Sequence, residues 1–129
     1  AAPRAAARPR TRLLDDIAEA AGGGGGPLSI LLQAYKAKAQ VKVTTRHARG
    51  VRGVATGTLA AFDRHANLVL TGATEDYTVR LPVERDRPVR DGDSESRPPR
   101  RCHRLDARTR RMATVFVRGD AVVAVSLVQ

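Results

Sequence analysis

Cysteine and aromatic residues are scarce in this chain of 129 residues. The single cysteine, Cys102, cannot form a disulfide within the chain, and no neighbours stand at the spacing of metal ligands. Aromatic side chains make up only 3% of the residues, so a broad stacking surface on a sheet is excluded. No apolar run approaches the roughly 20 residues that cross a bilayer. These shortages argue against a disulfide-stabilised secreted domain and against a membrane protein.

Signatures of catalysis are also missing. No nucleophile–base pair and no carboxylate dyad stands out. The glycine run Gly22–Gly26 lacks a preceding strand and a following Lys-Ser/Thr pair, so it is not a phosphate-binding loop. His47 and His103 have no partners at metal-ligand spacing. The sequence therefore predicts that the protein is not an enzyme, and it predicts neither a cofactor nor a metal site.

Positive charge is the strongest feature of the composition. The net charge is +10 and the isoelectric point is near 11.3, which favours a polyanionic partner, most commonly nucleic acid. Residues 78–112 hold 11 Arg against 6 acidic residues and supply +5 of this charge. Their Arg-rich, Pro-punctuated composition predicts a disordered insertion. Two interpretations of its arginines stay open, an attraction for phosphates and a merely solvated linker.

The order of apolar patterns predicts a tail, one helix and five strands. Residues 1–26 form an Ala/Arg/Gly-rich tail that we expect to be disordered, although the stretch 13–17 could become helical on a partner. After Pro27, apolar residues at helical spacing predict a helix over 28–38. The remaining apolar segments predict strands at 41–45, 51–62, 67–70, 112–118 and 121–128.

Two segments of the sequence resemble the paired motifs of the Sm and Sm-like family. The first is Gly57–Leu70, which contains Gly-Thr-Leu, then Phe-Asp and Asn followed by an apolar strand. The second is Val115–Val122, which contains Val-Arg-Gly-Asp. The resemblance implies one Sm domain over 27–129, with the first motif in 27–77 and the second in 113–129. It also implies a mainly β fold, in which a helix precedes a five-stranded, strongly bent antiparallel sheet that forms a small open barrel.

The resemblance implies a site for single-stranded, uridine-rich RNA. The loops at 63–67 and 118–120 would meet, and a base would stack between His65 and Arg118. Asn67 would read the edge of that base, Asp63 would brace the loop through backbone amides, and Gly119 would allow a close backbone approach or a positive φ. Each residue also has an ordinary interpretation, because Asp and Asn are favoured in turns and His and Arg are common on surfaces.

The segment Arg49–Gly57 resembles one subclass of the family, which belongs to the nuclear ribonucleoprotein that processes histone pre-mRNA 3′ ends. This resemblance implies a nuclear location and processing factors that bind the N-terminal tail. His65 is instead similar to ordinary spliceosomal Sm subunits, so a spliceosomal or mRNA-decay ring is the alternative. A further alternative is a scaffold that assembles with proteins and has little contact with RNA.

Two C-terminal segments, 115–117 and 122–125, are apolar at consecutive positions and therefore on both faces of a strand. An exposed edge strand of this kind would promote aggregation. We therefore predict that both edges pair with other Sm or Sm-like subunits, so that the sheet continues around a ring.

Overall fold

Two helices precede a sheet in the computed structural model of the chain, which describes residues 10–85, 92 and 99–128, with side chains from Arg12 onward. The elements, in chain order, are α1 (Arg10–Gly22), α2 (Ser29–Ala37), β1 (Gln40–His47), β2 (Gly50–Phe62), β3 (Leu68–Arg85), β4 (Arg100–Val117), a 3-10 turn (Gly119–Ala121) and β5 (Val122–Leu127).

The five strands form one antiparallel sheet in the order β4-β3-β2-β1-β5. The sheet is strongly bent but not closed, so β4 and β5 are its two edges. Register shifts along β1 and β2 accompany the bend. At Gly53 an added Cβ would overlap the carbonyl oxygen of Asp76 and lie 2.7 Å from the Tyr77 Cα, so only glycine fits. The predicted mainly β architecture with a strongly bent, five-stranded antiparallel sheet is confirmed.

Helix α2 covers one end of the sheet and confirms the helix predicted over 28–38. It ends at Lys38, whose left-handed backbone (φ 49°) lets its amide bond back to Ala34 and Tyr35 carbonyls. The buried apolar residues form one core, which comprises Ala18, Leu31, Leu32, Ala34, Val41, Val43, Ala55, Leu59, Phe62, Leu68, Leu70, Ala73 and Val117.

Helix α1 lies within the segment expected to be disordered, and that expectation is wrong for residues 10–22. Ala18 is only 1% exposed within the core, since its small side chain allows close packing. The Tyr35 hydroxyl donates to Asp15 Oδ1 at 2.6 Å, and this bond, with burial, raises the pKa of Tyr35 to about 12. Lys36 pairs with Glu19 at 2.6 Å. The expectation for residues 1–9 lies outside the described residues.

Strands β3 and β4 continue past the rest of the sheet as a two-stranded ribbon, which comprises residues 78–85 and 100–107. Pairing between β2 and β3 ends at Gly53 and Tyr77, so beyond that point β3 pairs with β4 alone. The expected disorder of 78–112 is therefore wrong for 78–85 and 100–112. Its remaining positions, apart from 92 and 99, lie outside the described residues.

An alternating pattern explains why this Arg-rich segment forms strands. Tyr77, Val79, Leu81 and Val83 occupy every second position and share one face, where all four are half-buried. Pro82 lacks an amide donor, and it lies where β3 is paired on one side only, a position in which a sheet tolerates proline. The arginine and proline content obscured this period of two in the sequence.

An ion cluster ties three strands together where the ribbon leaves the sheet. Glu75 of β3 is 5% exposed, and its two carboxylate oxygens accept from Arg52 of β2 at 3.1 Å and from Arg110 of β4 at 2.6 Å. Both guanidinium groups also lie over the Tyr77 ring, at 5.2 and 5.0 Å from its centroid. A two-stranded ribbon is marginal alone, so this cluster fixes its base.

We expect Glu75→Gln to lower the free energy of unfolding by about 1–3 kcal/mol, because the buried charge is lost and the new amide nitrogen cannot accept from the second arginine. Urea unfolding measures the change. The control Asp106→Asn breaks the exposed pair with Arg108 and should cost no more than about 1 kcal/mol. Equal effects of the two substitutions would show that the Glu75 cluster does not anchor the ribbon.

Candidate nucleic-acid interface

The turn between β2 and β3 is organised by one carboxylate. The backbone amides of His65 and Asn67 donate to Asp63 Oδ1 at 2.8 and 3.1 Å. The Ala66 amide donates to the Asp63 carbonyl at 3.1 Å, and Ala66 itself has a left-handed backbone with φ 59°. Asp63 thus braces the loop through backbone amides, in the manner that its position in the sequence predicted.

The Asn67 side chain joins this turn to the turn after β4. Its Nδ2 donates to Asp63 Oδ2 at 2.9 Å, and its Oδ1 accepts from the Gly119 amide at 2.7 Å. Each polar group of the amide therefore already has a partner in the protein. The expected reading of a base edge by Asn67 stays a prediction, and the observed role of this residue is to hold the two loops together.

Gly119 packs directly on the backbone of the first loop. An added Cβ would overlap the carbonyl oxygen of His65 and would lie 2.9 Å from its carbonyl carbon and 3.1 Å from the Ala66 carbonyl carbon. No larger residue fits without separating the loops. The predicted close backbone approach at Gly119 is thus present, and the surface that it meets is the protein itself.

His65 and Arg118 extend from these joined loops into solvent. His65 is exposed, and its Nε2 accepts from Arg64 Nε at 3.2 Å. The Arg118 side chain is 75% exposed and forms a 3.2 Å pair with the similarly exposed Asp120. Such exposed pairs are worth at most about 1 kcal/mol, so the Arg118 guanidinium can exchange Asp120 for a ligand. The structure therefore leaves both predicted stacking side chains accessible on adjoining loops.

Sequence reasoning missed two arginines of this region. Arg64 stands beside His65 and adds a second cation to the loop tip. Arg46 of β1 donates from Nε to the Asp120 carbonyl at 3.0 Å and so supports the second loop. The position of Arg64 inside the motif could have shown its role, but nothing in the sequence places Arg46 near Asp120.

The described part of the chain contains neither a metal-binding cluster nor a membrane-spanning helix. Within residues 10–85, 92 and 99–128, no three His, Cys, Asp or Glu side chains cluster closely enough to bind a metal ion. None of the helices described there has the length and apolar character needed to span a membrane.

We expect Gly119→Ala to lower the free energy of unfolding by about 1–3 kcal/mol, because its Cβ would press on the backbone of the first loop. Chemical denaturation measures the change. Gly24→Ala is the matched control, since nothing lies within 4 Å of that Cβ. A Gly119→Ala protein as stable as the Gly24→Ala protein would contradict the tight contact between the loops.

The joined loops should also weaken in acid. Burial raises the pKa of Asp63. Hydrogen bonds from the Asn67 side chain and from the His65 and Asn67 amides lower it, as does the nearby His65 charge, and the net result is a pKa below 3.8. A lowered pKa in the folded state means that the stabilisation is present above 3.8 and is lost as pH falls through the folded-state value.

We therefore expect Asp63→Asn to be less stable than the wild type at neutral pH, with the difference shrinking below pH 3.8. Urea unfolding across that range gives the two stability curves. A constant difference at every pH would contradict the carboxylate's role as the brace.

Comparisons with known proteins agree with these observations. The family model for the LSM domain matches residues 32–127, which is more than half of the chain. The chain is 42% identical over 59 residues to the mouse U7 snRNA-associated Sm-like protein LSm11. That match covers 46% of this chain but only 16% of the mouse protein's length.

Solved structures include a heptameric archaeal Sm protein and the P. aerophilum SmAP1 heptamer, each at 24% identity with a TM-score of 0.46. Both alignments cover 78% of this chain, with 98% and 90% of the respective archaeal chains. The predicted resemblance to one subclass of the family is confirmed as a similarity to the U7 snRNA-associated protein LSm11. On the match over residues 32–127, the chain belongs to the LSM domain family.

Proposed function

We propose that this chain is an RNA-binding subunit of an Sm-type ring and that it acts by binding rather than by catalysis. The observation that carries the proposal is the contact between two loops, in which Asn67 and Gly119 hold Arg118 next to the turn that presents His65. The loop tips combine one aromatic ring with guanidinium groups, the pairing that suits a stacked base beside a phosphate.

The chemistry of the loop tips fits a single-stranded ligand. A base that is not paired can stack on the His65 imidazole while the Arg118 guanidinium covers its other face, and stacking of this kind is worth roughly 1–3 kcal/mol per base. Arg64 adds charge for the adjoining phosphate. A uridine-rich strand is the proposed ligand, on the basis of the family resemblance.

The two sheet edges support assembly into a ring. Strands β4 and β5 lie at opposite ends of the strand order, and each carries a large apolar side chain in solvent, Phe116 at 61% exposure and Val123 at 53%. Pairing of β4 with β5 of another Sm-like subunit would satisfy both edges and cover these side chains.

The proposed particle is the nuclear ribonucleoprotein that processes histone pre-mRNA 3′ ends. Similarity to a relative described as U7 snRNA-associated supports this assignment, as does the segment Arg49–Gly57. Helix α1 exposes Leu13 at 57%, Leu14 at 40% and Ile17 at 38%, which is an apolar surface suited to the processing factors proposed for the N-terminal segment. A spliceosomal or mRNA-decay ring is the alternative within the family.

The test separates the stacking side chains from the residues that hold the loops. His65→Ala with Arg118→Ala should weaken oligouridine binding roughly 5- to 150-fold, the equivalent of one lost stacking contact, while leaving the unfolding free energy nearly unchanged. Fluorescence anisotropy with labelled oligouridine, on the chain in its assembled form, measures the affinity.

Lys38→Gln with Lys42→Gln is the matched control, because both lysines are exposed and belong to neither loop: Lys38 follows α2 and Lys42 lies within β1. If the His65 and Arg118 substitutions leave the oligouridine affinity unchanged, the RNA-binding proposal is contradicted and a protein scaffold is favoured. Asn67 is kept intact in this test, since its loss would disrupt the loops and not only the ligand contacts.

A further inference from the structure

We infer that the ribbon of residues 78–85 and 100–107 is a second RNA-binding surface, which holds the phosphate backbone without regard to base sequence. It carries five arginines and no lysine against two carboxylates, Glu84 and Asp106, so its net charge is +3. The arginines are Arg80, Arg85, Arg100, Arg101 and Arg104, and all five are exposed. The inference rests on the proposed function, because it concerns the same RNA.

Within the described part of the chain, the arginines of the ribbon are not engaged in ion pairs. Among the residues that the structure describes, Arg80, Arg101 and Arg104 have no carboxylate within ion-pair distance. Asp106 is engaged by Arg108 at 3.0 Å, so it does not neutralise the ribbon's own arginines. Guanidinium groups bind phosphates through two parallel hydrogen bonds, which makes arginine the suitable residue for this ligand.

Like charges face one another at the far end of the ribbon. Arg85 and Arg100 are direct partners in the antiparallel register, and a pair of like charges in this position destabilises a sheet unless an anion lies between them. Along both strands, alternation places Arg85, Arg100 and Arg104 on one face and Arg80 and Arg101 on the other. The charge therefore surrounds the ribbon and does not form a one-sided groove.

The chemistry of the ribbon favours a nucleic-acid backbone over an acidic peptide. A charge that surrounds the ribbon suits a polyanion that carries a phosphate at every residue, whereas a docked peptide strand would meet only one face. Tyr77, at the base of the ribbon, already lies beneath Arg52 and Arg110. Within residues 78–85 and 100–107, the exposed His103 imidazole is the one ring open to a base, so the contacts of the ribbon would be mainly to phosphate.

The position of the ribbon separates it from the loop site. The joined loops adjoin Leu68 and Val117, at one end of β3 and β4, while the ribbon occupies the other end. At about 3.3 Å per residue, the far end of the ribbon lies ~55 Å along the strand from the loops. The ribbon would therefore contact parts of the RNA that lie outside the loop site, either a single strand or a stem.

The test compares three labelled RNAs on the full chain: a short oligouridine, the same oligouridine with a long single-stranded extension, and the same oligouridine with a stem. Arg80→Gln, Arg101→Gln and Arg104→Gln together remove three positive charges from the ribbon. The control triple, Arg12→Gln, Lys38→Gln and Lys42→Gln, removes the same charge from exposed positions elsewhere. Thermal unfolding checks that both triples are folded.

We expect the extended RNAs to bind the wild type more tightly than oligouridine and with a steeper salt dependence. In the ribbon triple, the extended RNAs should bind no more tightly than oligouridine. The slope of log affinity against log salt should become less steep by about 2, because each of the three lost single-strand contacts accounts for about 0.7. If only one extended RNA loses affinity in the ribbon triple, that RNA shows whether the ribbon binds a single strand or a stem. The control triple should retain the gain.

Equal behaviour of the two triples, or an extension that adds no affinity, would overturn the inference. A ribbon triple that loses binding to polyglutamate but not to RNA would also overturn it and point to an acidic protein. The His65→Ala and Arg118→Ala background distinguishes the two sites. In this variant the extended RNAs should still bind more tightly than oligouridine. If oligouridine binding is unchanged by the two loop substitutions, the loop site is contradicted but the ribbon site is not.

Discussion

The amide of Asn67 is the interaction on which the loop site depends. It accepts a hydrogen bond from Gly119 in one turn and donates to Asp63 in the other, and so it links residues far apart in the chain. Gly119 completes the link because the missing side chain lets its backbone rest on His65. The loop pair is thus held by contacts within the protein, and preorganisation of this kind keeps the entropic cost of binding low.

A second constraint acts at the opposite end of the same strands. Glu75 holds Arg52 and Arg110 at the point where β2 stops pairing with β3. Without this cluster a charged two-stranded ribbon would gain little from pairing. Strands β3 and β4 therefore connect the loops at one end with an arginine-rich surface at the other, and each end is fixed by its own buried or half-buried carboxylate.

Sequence patterns predicted the helix α2, the strand order along the chain and the loop residues, because these elements carry clear periodicity or a motif. They failed at α1, where the contacts that hold Ala18 and Asp15 come from distant parts of the chain. They failed again at the ribbon, where the arginine and proline content of the segment hid the apolar period of Val79, Leu81 and Val83. The two contacts of Asn67 within the protein were not predicted, because a motif shows that an amide is present but not which partners it takes.

The central claim is that the loops joined by Asn67 form one RNA site, and photocrosslinking tests it most directly. An oligouridine that contains 4-thiouridine would be crosslinked to the assembled protein, and the adducts would be mapped by mass spectrometry. The account predicts adducts within 63–67 and 118–120, with the same nucleotide reaching both segments. Adducts confined to other parts of the chain, or the absence of any adduct at these loops when binding is saturated, would contradict it.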